Sequence, residues 1–286
     1  MTAVSGGPGK APRVAVVIPC FDDGEFVREA VDSVRDDTEI VELVVVDDAS
    51  EDPATIAALD GLSAEGVRVV RHERNRGLSA ARMTGVRATG APYVFPLDSD
   101  DLAYSGALTA MADRLDANPR LALVFGDYLE FGDRELVRAV PERVDPYRIA
   151  YTNEYPGFAL FRREALERVG GWSAAGLYED WDLWMTIAEE GLEGAHMGPG
   201  EPTFKRRVHP GRLGGRLRTE QRRVYGELRE RHPKLFSRIP AARRSSDLSP
   251  LRKRLYPIVY GGRRRLRAER RLKGLMDRAG VWTLRR

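Results

Sequence analysis

The chain has 286 residues, 42% of them hydrophobic, and a single cysteine, Cys20. This length and apolar content can fill one large domain, or a domain with an appendage. One cysteine excludes an intramolecular disulfide and a cysteine-based zinc site. Residues 1–12 lack the apolar core of a signal peptide, and no later stretch approaches the length of a membrane span. The sequence therefore predicts a soluble, cytoplasmic protein.

The net charge of +3 hides an uneven distribution of charge along the chain. Residues 1–203 carry 19 Lys and Arg against 37 Asp and Glu, a net of −18, whereas residues 204–286 carry 27 against 6, a net of +21. A basic segment with interspersed apolar residues can be solvated, dock on the protein's own acidic face, or contact an acidic acceptor, an anionic membrane or nucleic acid. Solvation or self-docking is favoured first and peripheral membrane contact at the inner face second, and nucleic acid is not an expected partner.

Strand and helix patterns alternate through the first hundred residues. Apolar runs predict strands at Arg13–Pro19, Val41–Val46, Val67–Val70 and Tyr93–Leu97. Apolar residues at helical spacing predict intervening helices at Glu25–Val34, Ala54–Leu62 and Leu78–Ala88. Continuous apolar strands separated by amphipathic helices indicate an α/β fold, with a parallel sheet covered on both faces and right-handed crossovers.

The regular alternation weakens after residue 101. The later predicted elements are a helix at Leu102–Leu115, a strand at Leu121–Phe125, short antiparallel pieces between Tyr128 and Pro156, and helices at Arg163–Val169 and Asp182–Glu190. A Gly- and Pro-rich stretch at 198–202 precedes the basic segment. The expected organisation is a flexible N-terminus at 1–12, an α/β domain at 13–212, and a basic, mainly helical C-terminal extension at 213–286.

Carboxylates follow two of the predicted strands. The fourth strand is followed by Asp98, Asp100 and Asp101, and the second by Asp47 and Asp48. Crowded carboxylates repel one another unless a cation lies among them, and a divalent metal with oxygen ligands is the usual cation. Because parallel strands end at one edge of a sheet, these residues predict a ligand crevice that binds a metal and a diphosphate. The alternative is an acidic turn that caps the next helix.

Taken in order, the motifs resemble those of family 2 glycosyltransferases. The residues that carry the resemblance are Val14–Phe21, Val44–Ser50, Asn75-Arg76-Gly77, Ala81-Arg82, Asp98–Asp101 and Glu179-Asp180. The resemblance covers about Val14 to His209. It implies the GT-A fold, which is a Rossmann-like α/β/α sandwich with a mostly parallel central sheet, and an inverting transfer from a sugar nucleotide. A later Gln/Arg-x-x-Arg-Trp motif of processive synthases is absent, which favours the addition of a single sugar.

The resemblance implies a donor site at the ends of the first two strands. Phe21 matches the aromatic residue that stacks on the nucleobase, and Pro19 and Asp23 flank it in the same donor-binding segment. Asp48 matches the residue that accepts a hydrogen bond from uracil. Arg82 resembles an arginine near the phosphates or the acidic loop. Uridine diphosphate is the expected carrier.

Alternatives remain for several of these residues. Phe21 could pack on a helix, Asp47 could cap its adjacent turn, and Arg82 could be an exposed helix residue. The chain has Cys20-Phe21-Asp22 where many relatives have Thr-Tyr-Asn, which removes a hydroxyl group. The preference for a nucleobase therefore stays open.

The triplet Asp98-Ser99-Asp100 corresponds to the DXD motif of the family. The resemblance implies that Asp100 binds the metal directly and that Asp98 contacts the ribose or the metal site, with Ser99 in the donor site. Asp101 is expected to cap the following helix or to support the metal ligands. His209 is expected to be a third metal contact. Oxygen-rich sites suit both Mn²⁺ and Mg²⁺.

The resemblance assigns the general base to Asp180, with Glu179 beside it. An inverting transfer requires a base that takes a proton from the acceptor opposite the leaving group. Glu179, Asp180 and Asp182 can also form the acidic first turn of a helix, which the helix dipole favours, and both roles are compatible. Trp181 and Trp184 suit a sugar or acceptor face, with one of the two expected in the core.

Two other classes of function compete with a glycosyltransferase. A nucleotidyltransferase uses a similar sheet and acidic metal ligands, but it generally has a basic Gly-rich phosphate loop where this chain has the acidic segment Cys20–Glu25. A non-catalytic binding protein could hold a membrane or nucleic acid through the basic extension. Within the transferase hypothesis, the acceptor can be a glycan, a lipid-linked sugar or a small molecule, because acceptor loops carry no readable code.

Overall fold

The computed structural model of the protein describes residues 11–35, 41–173, 178–209 and 221–260. The strands within these ranges are β1 (Val14–Cys20), β2 (Val41–Asp47), β3 (Arg68–Arg71), β4 (Tyr93–Pro96), β5 (Leu102–Ala103), β6 (Leu121–Phe125), β7 (Asp127–Gly132), β8 (Leu136–Arg138), β9 (Leu160–Arg162), β10 (Glu193–His196) and β11 (Pro202–Val208). The helices are α1 (Val27–Asp32), α2 (Pro53–Ala64), α3 (Leu78–Ala88), α4 (Ala107–Ala117), α5 (Pro146–Ile149), α6 (Arg163–Arg168), α7 (Glu179–Glu189), α8 (Gln221–Arg231), α9 (Pro233–Ser237), α10 (Ile239–Ser245) and α11 (Pro250–Tyr260). Most of the predicted N-terminal segment 1–12, and residues 213–220 and 261–286 of the predicted extension, lie outside the described residues.

The main sheet has seven strands in the order β10-β6-β9-β4-β1-β2-β3. Strand β1 pairs in parallel with β2 and β4, β2 with β3, and β6 with β10, whereas β9 is antiparallel to its neighbours β4 and β6. The strands predicted before residue 98 are present with bounds shifted by at most one residue. The predicted α/β fold with a mostly parallel central sheet is confirmed.

Hydrophobic side chains fill both faces of this sheet, as the continuous apolar strands predict. In β1, Ala15 and Val17 belong to one cluster, whereas Val14, Val16 and Ile18 belong to the other. This alternation follows from the two-residue period of a strand, and it explains why every residue of β1 is buried.

Helix α3 packs unusually closely against the sheet at Gly85. A Cβ atom built at Gly85 would lie 2.2 Å from Cγ1 of Val17, so any larger residue would push α3 away from β1. This contact fixes the distance between the sheet and the residues that α3 carries, Arg82 among them.

The segment after Asp101 differs from the prediction. Residues 102 and 103 form β5, which pairs antiparallel with β11, and the predicted helix at Leu102–Leu115 begins only at Ala107. Asp101 does not cap that helix. Its Oδ1 accepts a hydrogen bond from the backbone N–H of Arg207, at 2.7 Å, on β11. The prediction of a cap was wrong because it considered only local sequence, whereas a strand from a distant segment binds this carboxylate.

Strand β11 belongs to a second sheet of four strands, in the order β5-β11-β7-β8. Strand β7 is antiparallel to β8 and parallel to β11, so the antiparallel pieces predicted after Tyr128 include the β7–β8 hairpin. A short helix, α5, also occurs in that region, with Asp145 accepting hydrogen bonds from the N–H groups of its first turn. The small sheet lies beside the end of β4 and carries side chains toward the acidic loop.

The described helices of the basic extension pack against the α/β body. Val224, Tyr225, Leu228 and Leu235 belong to the same hydrophobic cluster as Trp181 of α7. On α11, Tyr256 stacks on Tyr147 of α5 with ring centroids 6.1 Å apart. Within the described part of the chain, none of the helices combines the length and hydropathy needed to span a bilayer. The described part of the extension thus docks on the protein's own body, which is one of the arrangements that the charge pattern left open, and apolar and aromatic contacts hold it there.

A buried histidine joins α9 to α7. Nε2 of His232 lies 3.1 Å from Oδ1 of Asp182, and Nδ1 lies 3.1 Å from Oε2 of Glu189. Burial opposes the charged imidazolium, but the hydrogen bonds and charges of these two carboxylates outweigh burial and raise the pKa of His232 above its usual 6.5. For Asp182, burial is likewise outweighed by hydrogen bonds from His232 and Ser173, and its pKa is lowered. The docked helices are therefore held by a charged contact.

We expect this contact to stabilise the fold more in mildly acidic than in alkaline solution. Because the folded-state pKa of His232 is raised, its stabilisation is complete below the unfolded pKa of about 6.5 and is lost as the pH rises through the folded pKa. His232→Gln should lower the free energy of unfolding by about 1–3 kcal/mol near pH 6 and by less near pH 9. Urea unfolding of both proteins across this range measures the difference, and a difference independent of pH would contradict a charged His232.

Candidate active site

Three carboxylates converge where β4 ends. One oxygen atom from each of Asp98, Asp100 and Asp101 lies within 4.8 Å of the other two. The small sheet holds this acidic loop, because Arg207 donates its backbone N–H to Asp101 and its Nε–H to the carbonyl oxygen of Asp100, at 2.7 and 3.0 Å. Nε2 of His209 lies 3.1 Å from Oδ2 of Asp100. The structure thus brings together the predicted residues Asp98, Asp100 and His209, with Asp101 beside them, in the second of the two positions expected for it.

The loop after β1 reaches the same cluster. The hydroxyl group of Ser99 donates a hydrogen bond to Oδ2 of Asp23, at 2.8 Å. The pKa of Asp23 is raised, chiefly by burial and further by the negative charge of Asp100, although Ser99 and His209 act in the opposite direction. Asp23 therefore contacts the acidic loop through Ser99.

The donor atoms of this cluster fit a hard divalent cation. Carboxylate oxygens with a neighbouring imidazole nitrogen suit Mg²⁺ or Mn²⁺, and metal–oxygen distances of roughly 2.0–2.6 Å let one ion reach oxygens up to about 5 Å apart. Three carboxylates this close, two of them buried and one half-buried, repel one another without a cation. Asp98, Asp100 and Asp101, with His209, are therefore the residues that would hold a metal.

Arg82 connects the acidic loop to the start of α7. Its side chain is 2% exposed, and its Nη2 and Nη1 atoms donate hydrogen bonds to Asp98 and Glu179 at 2.6 and 3.0 Å. Burial opposes the guanidinium charge, but the charges of Asp98 and Glu179 outweigh it and raise the pKa of Arg82. The guanidinium also lies over the ring of Trp172, 5.5 Å from its centroid. The alternative of an exposed helix arginine was wrong, and Arg82 contacts the acidic loop as the resemblance implied.

The predicted catalytic carboxylates begin α7. The helix starts at Glu179 rather than at Asp182, so Glu179 and Asp180 form its first turn. Asp180 accepts a hydrogen bond on Oδ1 from the backbone N–H of Trp181, at 2.7 Å, and one on Oδ2 from Nδ2 of Asn153, at 2.9 Å. Asn153 was not predicted, because it precedes α7 by a long stretch of sequence and only folding brings the two side chains together.

Burial raises the pKa values of both carboxylates. For Glu179, burial and the charge of Asp180 outweigh the opposing effect of Arg82, and its pKa rises to about 7. For Asp180, burial outweighs the opposing effects of the Trp181 N–H and of the charges of Arg82 and Arg206. A raised affinity for protons makes a carboxylate suited to proton transfer.

The two tryptophans of α7 are both in the core. Trp181 and Trp184 are each 2% exposed, and their Nε1–H groups donate hydrogen bonds to the carbonyl oxygens of Ile149 and Pro156. The prediction that one of them lines a sugar or acceptor face was wrong. Helical spacing gives both side chains apolar neighbours from α5 and the sheet.

The ends of β1 and β2 form the other side of the site. Phe21 is 48% exposed and is accessible to a ligand. Pro19 is buried in β1 beside Val46 of β2. Asp22 has a positive φ of 52° and accepts hydrogen bonds on Oδ1 from the N–H groups of Glu51 and Asp52. These bonds connect the loops that follow the two strands.

Asp48 is buried and already has several hydrogen-bond partners. Its Oδ1 accepts from the N–H of Arg76 at 2.9 Å and lies 2.6 Å from Nδ1 of His72, while its Oδ2 accepts from the N–H of Gly77 at 2.7 Å. His72 was missed in the sequence, although the parallel pairing of β2 with β3 places it next to the end of β2. Asp47 accepts the N–H of Ser50 at 2.8 Å, which confirms the alternative that Asp47 caps its turn.

An open cleft of about 370 Å³ lies beside Asp48, at the end of β3. The residues that line it are Arg71, His72, Glu73, Arg74 and Arg76. The cleft is thus mostly basic, and it adjoins Asp48, which is predicted to bind the nucleobase.

We expect loss of the Arg82 cation to destabilise the protein strongly. Arg82→Met would leave the half-buried carboxylate of Asp98 and the buried carboxylate of Glu179 without their partner, and removing one partner of a buried ion pair typically costs about 3–5 kcal/mol. Arg87→Met on the exposed face of the same helix is the matched control and should change stability by at most about 0.5 kcal/mol. Chemical denaturation measures both, and equal effects would contradict the bridging role of Arg82.

Comparisons with curated proteins find glycosyltransferases. The chain is 26% identical over 171 residues to EpsJ, an uncharacterized glycosyltransferase of Bacillus subtilis (strain 168), with 55% of this chain and 50% of that protein covered. It is 33% identical over 140 residues to TarP of Staphylococcus aureus (strain N315), a poly(ribitol-phosphate) β-N-acetylglucosaminyltransferase, with 46% and 41% covered. The match thus spans half or less of these two relatives. A UDP-Gal:α-D-GlcNAc-diphosphoundecaprenol β-1,3-galactosyltransferase of Escherichia coli is 24% identical over 194 residues, with 64% and 70% covered.

Solved structures of glycosyltransferases share the fold. TarS residues 1–349 of S. aureus in complex with UDP-GlcNAc superpose with a TM-score of 0.59 at 17% identity, covering 84% of this chain and 69% of that one. The mannosyltransferase PcManGT from Pyrobaculum calidifontis, in complex with GDP-Man and Mn²⁺, gives a TM-score of 0.58 at 19% identity, covering 98% and 84%. Residues 15–170, more than half of the chain, match the family described as Glycosyl transferase family 2, and the chain belongs to that family.

Proposed function

We propose that the protein transfers one sugar from a nucleotide-diphosphate donor, a UDP-sugar, to an acceptor nucleophile, with inversion and with a divalent metal. The observation that carries this proposal is the bridge formed by Arg82, which joins the carboxylate loop at Asp98 to the first turn of α7 at Glu179. The carboxylate cluster that would hold a metal and the pair Glu179 and Asp180 are thereby fixed next to each other. Family membership, together with the acidic segment after β1, argues against a nucleotidyltransferase.

The ends of β1 and β2 are the proposed donor site. The exposed ring of Phe21 offers a stacking surface for the base, and Asp48 offers a carboxylate acceptor at the neighbouring strand end. One relative named for UDP-Gal, and the neighbour solved with UDP-GlcNAc, support a uridine carrier, whereas PcManGT was solved with GDP-Man. In this proposal Asp48 accepts a hydrogen bond from uracil, using a lone pair that its bond to the N–H of Gly77 leaves unused.

Asp98, Asp100 and His209, supported by Asp101, are the proposed metal-binding residues. When bound there, Mn²⁺ or Mg²⁺ would offset the negative charge of the diphosphate leaving group. Arg82 and Arg207 hold the loop that carries these ligands, and Ser99 and Asp23 fix its other side. The solved complex of PcManGT with Mn²⁺ supports a metal in this fold.

Asp180 is the proposed general base. Its two oxygens are oriented by the N–H of Trp181 and by Asn153, and burial raises its pKa, so it can accept a proton from the acceptor. Glu179 accepts a hydrogen bond from Arg82, so the guanidinium cation partly offsets the negative charge of Glu179 and Asp180.

The described C-terminal helices provide a proposed contact with an anionic membrane. On α11, Leu251 and Ile258 are 53% and 39% exposed, and their seven-residue spacing places them on one face of the helix. Arg254 between them is exposed as well. Apolar residues flanked by basic ones suit the surface of an anionic bilayer. The variant Leu251→Ser should weaken this contact. Cosedimentation with anionic vesicles measures the change in binding.

Removing the proposed metal ligand should weaken donor binding only in the presence of the metal. With Asp100→Asn, the affinity for UDP in Mn²⁺ should fall by about tenfold or more, because even residues that support metal ligands typically contribute 10–100-fold to metal affinity. Titration calorimetry with and without Mn²⁺ measures this change. Asp113→Asn, at an exposed surface ion pair on α4, serves as the control and should bind normally. Unchanged affinity of Asp100→Asn in Mn²⁺ would remove Asp100 from the metal site.

Removing the proposed base should slow catalysis without affecting donor binding. Asp180→Asn keeps an oxygen that accepts the Trp181 N–H, and it should reduce the rate of UDP release from the donor by about 10²–10⁴-fold. Water serves as the acceptor in this assay, so no natural acceptor is needed. Glu190→Gln, at the exposed opposite end of α7, is the control. A fully active Asp180→Asn enzyme would show that another group removes the proton.

A further inference from the structure

Three arginines surround one buried carboxylate on the small sheet. The side chain of Glu130 on β7 is 3% exposed, and its Oε2 lies 2.6 Å from Nη2 of Arg134 and 2.8 Å from Nε of Arg138. Nη1 of Arg206 lies 3.9 Å from Oε1. Burial opposes the charge of Glu130, but the arginines outweigh it and lower the pKa of this carboxyl group. The cluster therefore carries three positive charges around one negative charge.

The guanidinium groups remain accessible although the carboxylate does not. Arg134, Arg138 and Arg206 are 51%, 39% and 37% exposed, respectively. Three arginines have roughly fifteen N–H donors, whereas one carboxylate offers about four lone-pair positions. Glu130 therefore positions these cations without using up their donors, and the cluster can bind a second anion from solvent.

The sheet itself sets the spacing of two of these arginines. Arg206 on β11 is paired directly with Glu130 on β7, and Arg138 on β8 is paired with Tyr128 on β7. The guanidinium of Arg206 also lies over the ring of Tyr128, 6.0 Å from its centroid. Groups on adjacent strands lose little freedom on binding, and planar guanidinium groups match the oxygens of a phosphate in a bidentate manner.

Strand β11 carries the cluster to the active site, because Nε2 of His209, three residues after Arg206, lies 3.1 Å from Oδ2 of Asp100. The next residue after Arg206, Arg207, is directed to the opposite side of the strand, where it contacts Asp100 and Glu29. Strand β11 thus presents Arg207 to the acidic loop and Arg206 to the arginine cluster. The charge of Arg206 is also one of those that oppose the rise in the pKa of Asp180.

We infer that Arg134, Arg138 and Arg206 form a binding site for a phosphate group carried by the acceptor. This inference rests on the proposed function, because it names the chemical class of the acceptor for that same site. A phosphate held by Arg206 places the acceptor's nucleophilic group on the side of Asp180, while the diphosphate of the donor lies at the acidic loop. The bound phosphate is not altered in the reaction.

Titration calorimetry with sn-glycerol 3-phosphate tests the site, using the full chain saturated with UDP and Mn²⁺ so that the donor site is filled. Arg206→Gln and Arg138→Gln should each weaken binding by about tenfold or more, since a hydrogen bond to a charged group contributes about 1.5–3 kcal/mol. Arg114→Gln, the same charge change at an exposed position of α4, should have no effect. Arg206→Gln is the milder variant because Glu130 keeps its two closer partners. Unaltered UDP affinity in the variants shows that they are folded.

A second titration distinguishes a free phosphate from one carried by a lipid. Vesicles of phosphatidylcholine with phosphatidic acid replace the soluble probe, and pure phosphatidylcholine vesicles give the background. Weaker binding of the soluble probe alone in Arg206→Gln supports a water-soluble acceptor phosphate, whereas weaker vesicle binding supports a lipid-linked one. If neither probe depends on Arg138 or Arg206, or if the wild-type chain binds neither, the inference is overturned.

Failure of the proposed function gives a different result. A wild-type chain that does not bind UDP in Mn²⁺ would refute the donor site, and titration of glycerol phosphate without UDP would still decide whether the three arginines bind phosphate. A chain that binds UDP normally, with phosphate binding unaffected by the variants, would refute the arginine site and leave the donor site intact.

Discussion

The site depends on one buried cation between two acidic segments. Arg82 is almost completely buried, and its guanidinium contacts Asp98 at the end of β4 and Glu179 at the start of α7. Buried charges are tolerated only when they are paired, so the cation and both carboxylates must be in place together. The close packing of α3 on β1 at Gly85 fixes the depth of Arg82 in the fold. The distance between the metal-type cluster and the candidate base therefore follows from the packing of one helix on the sheet.

A second sheet constrains the acidic loop from the other side. Arg207 binds Asp100 and Asp101 through its side chain and backbone, and His209 lies against Asp100. The pairing of β5 with β11 explains why the chain continues as a strand after Asp101 and does not begin a helix there. Cationic or hydrogen-bonding groups thus approach the carboxylates from α3 and from β11, and Asp23 contacts the loop at Ser99 from the end of β1.

The sequence was sufficient for features that depend on neighbouring residues. The apolar runs predicted β1 to β4, and the strand-end acids predicted the edge at which the site forms. Two contacts between distant residues were not predicted: Arg82 and Glu179 are 97 positions apart, and the contact between His232 and Asp182 spans 50. The approach of His209 to Asp100, over 109 positions, was implied by the family resemblance and not by local pattern. The two tryptophans of α7 show the same limit, because an aromatic side chain on a helix packs inward or outward according to partners that local sequence does not specify.

The three acidic residues in the first turn of α7 have different partners. Successive residues of a helix differ by about 100° in direction, so neighbouring side chains point to different surroundings. Glu179 points to Arg82, Asp180 to Asn153, and Asp182 to His232 and Arg231 of the docked helices. The basic helices therefore neutralise Asp182 while Asp180 keeps its own partners. The basic helices also pack against α7 and so restrain the helix that carries the candidate base. The attraction between the acidic body and the basic helices therefore contributes to the geometry of the site.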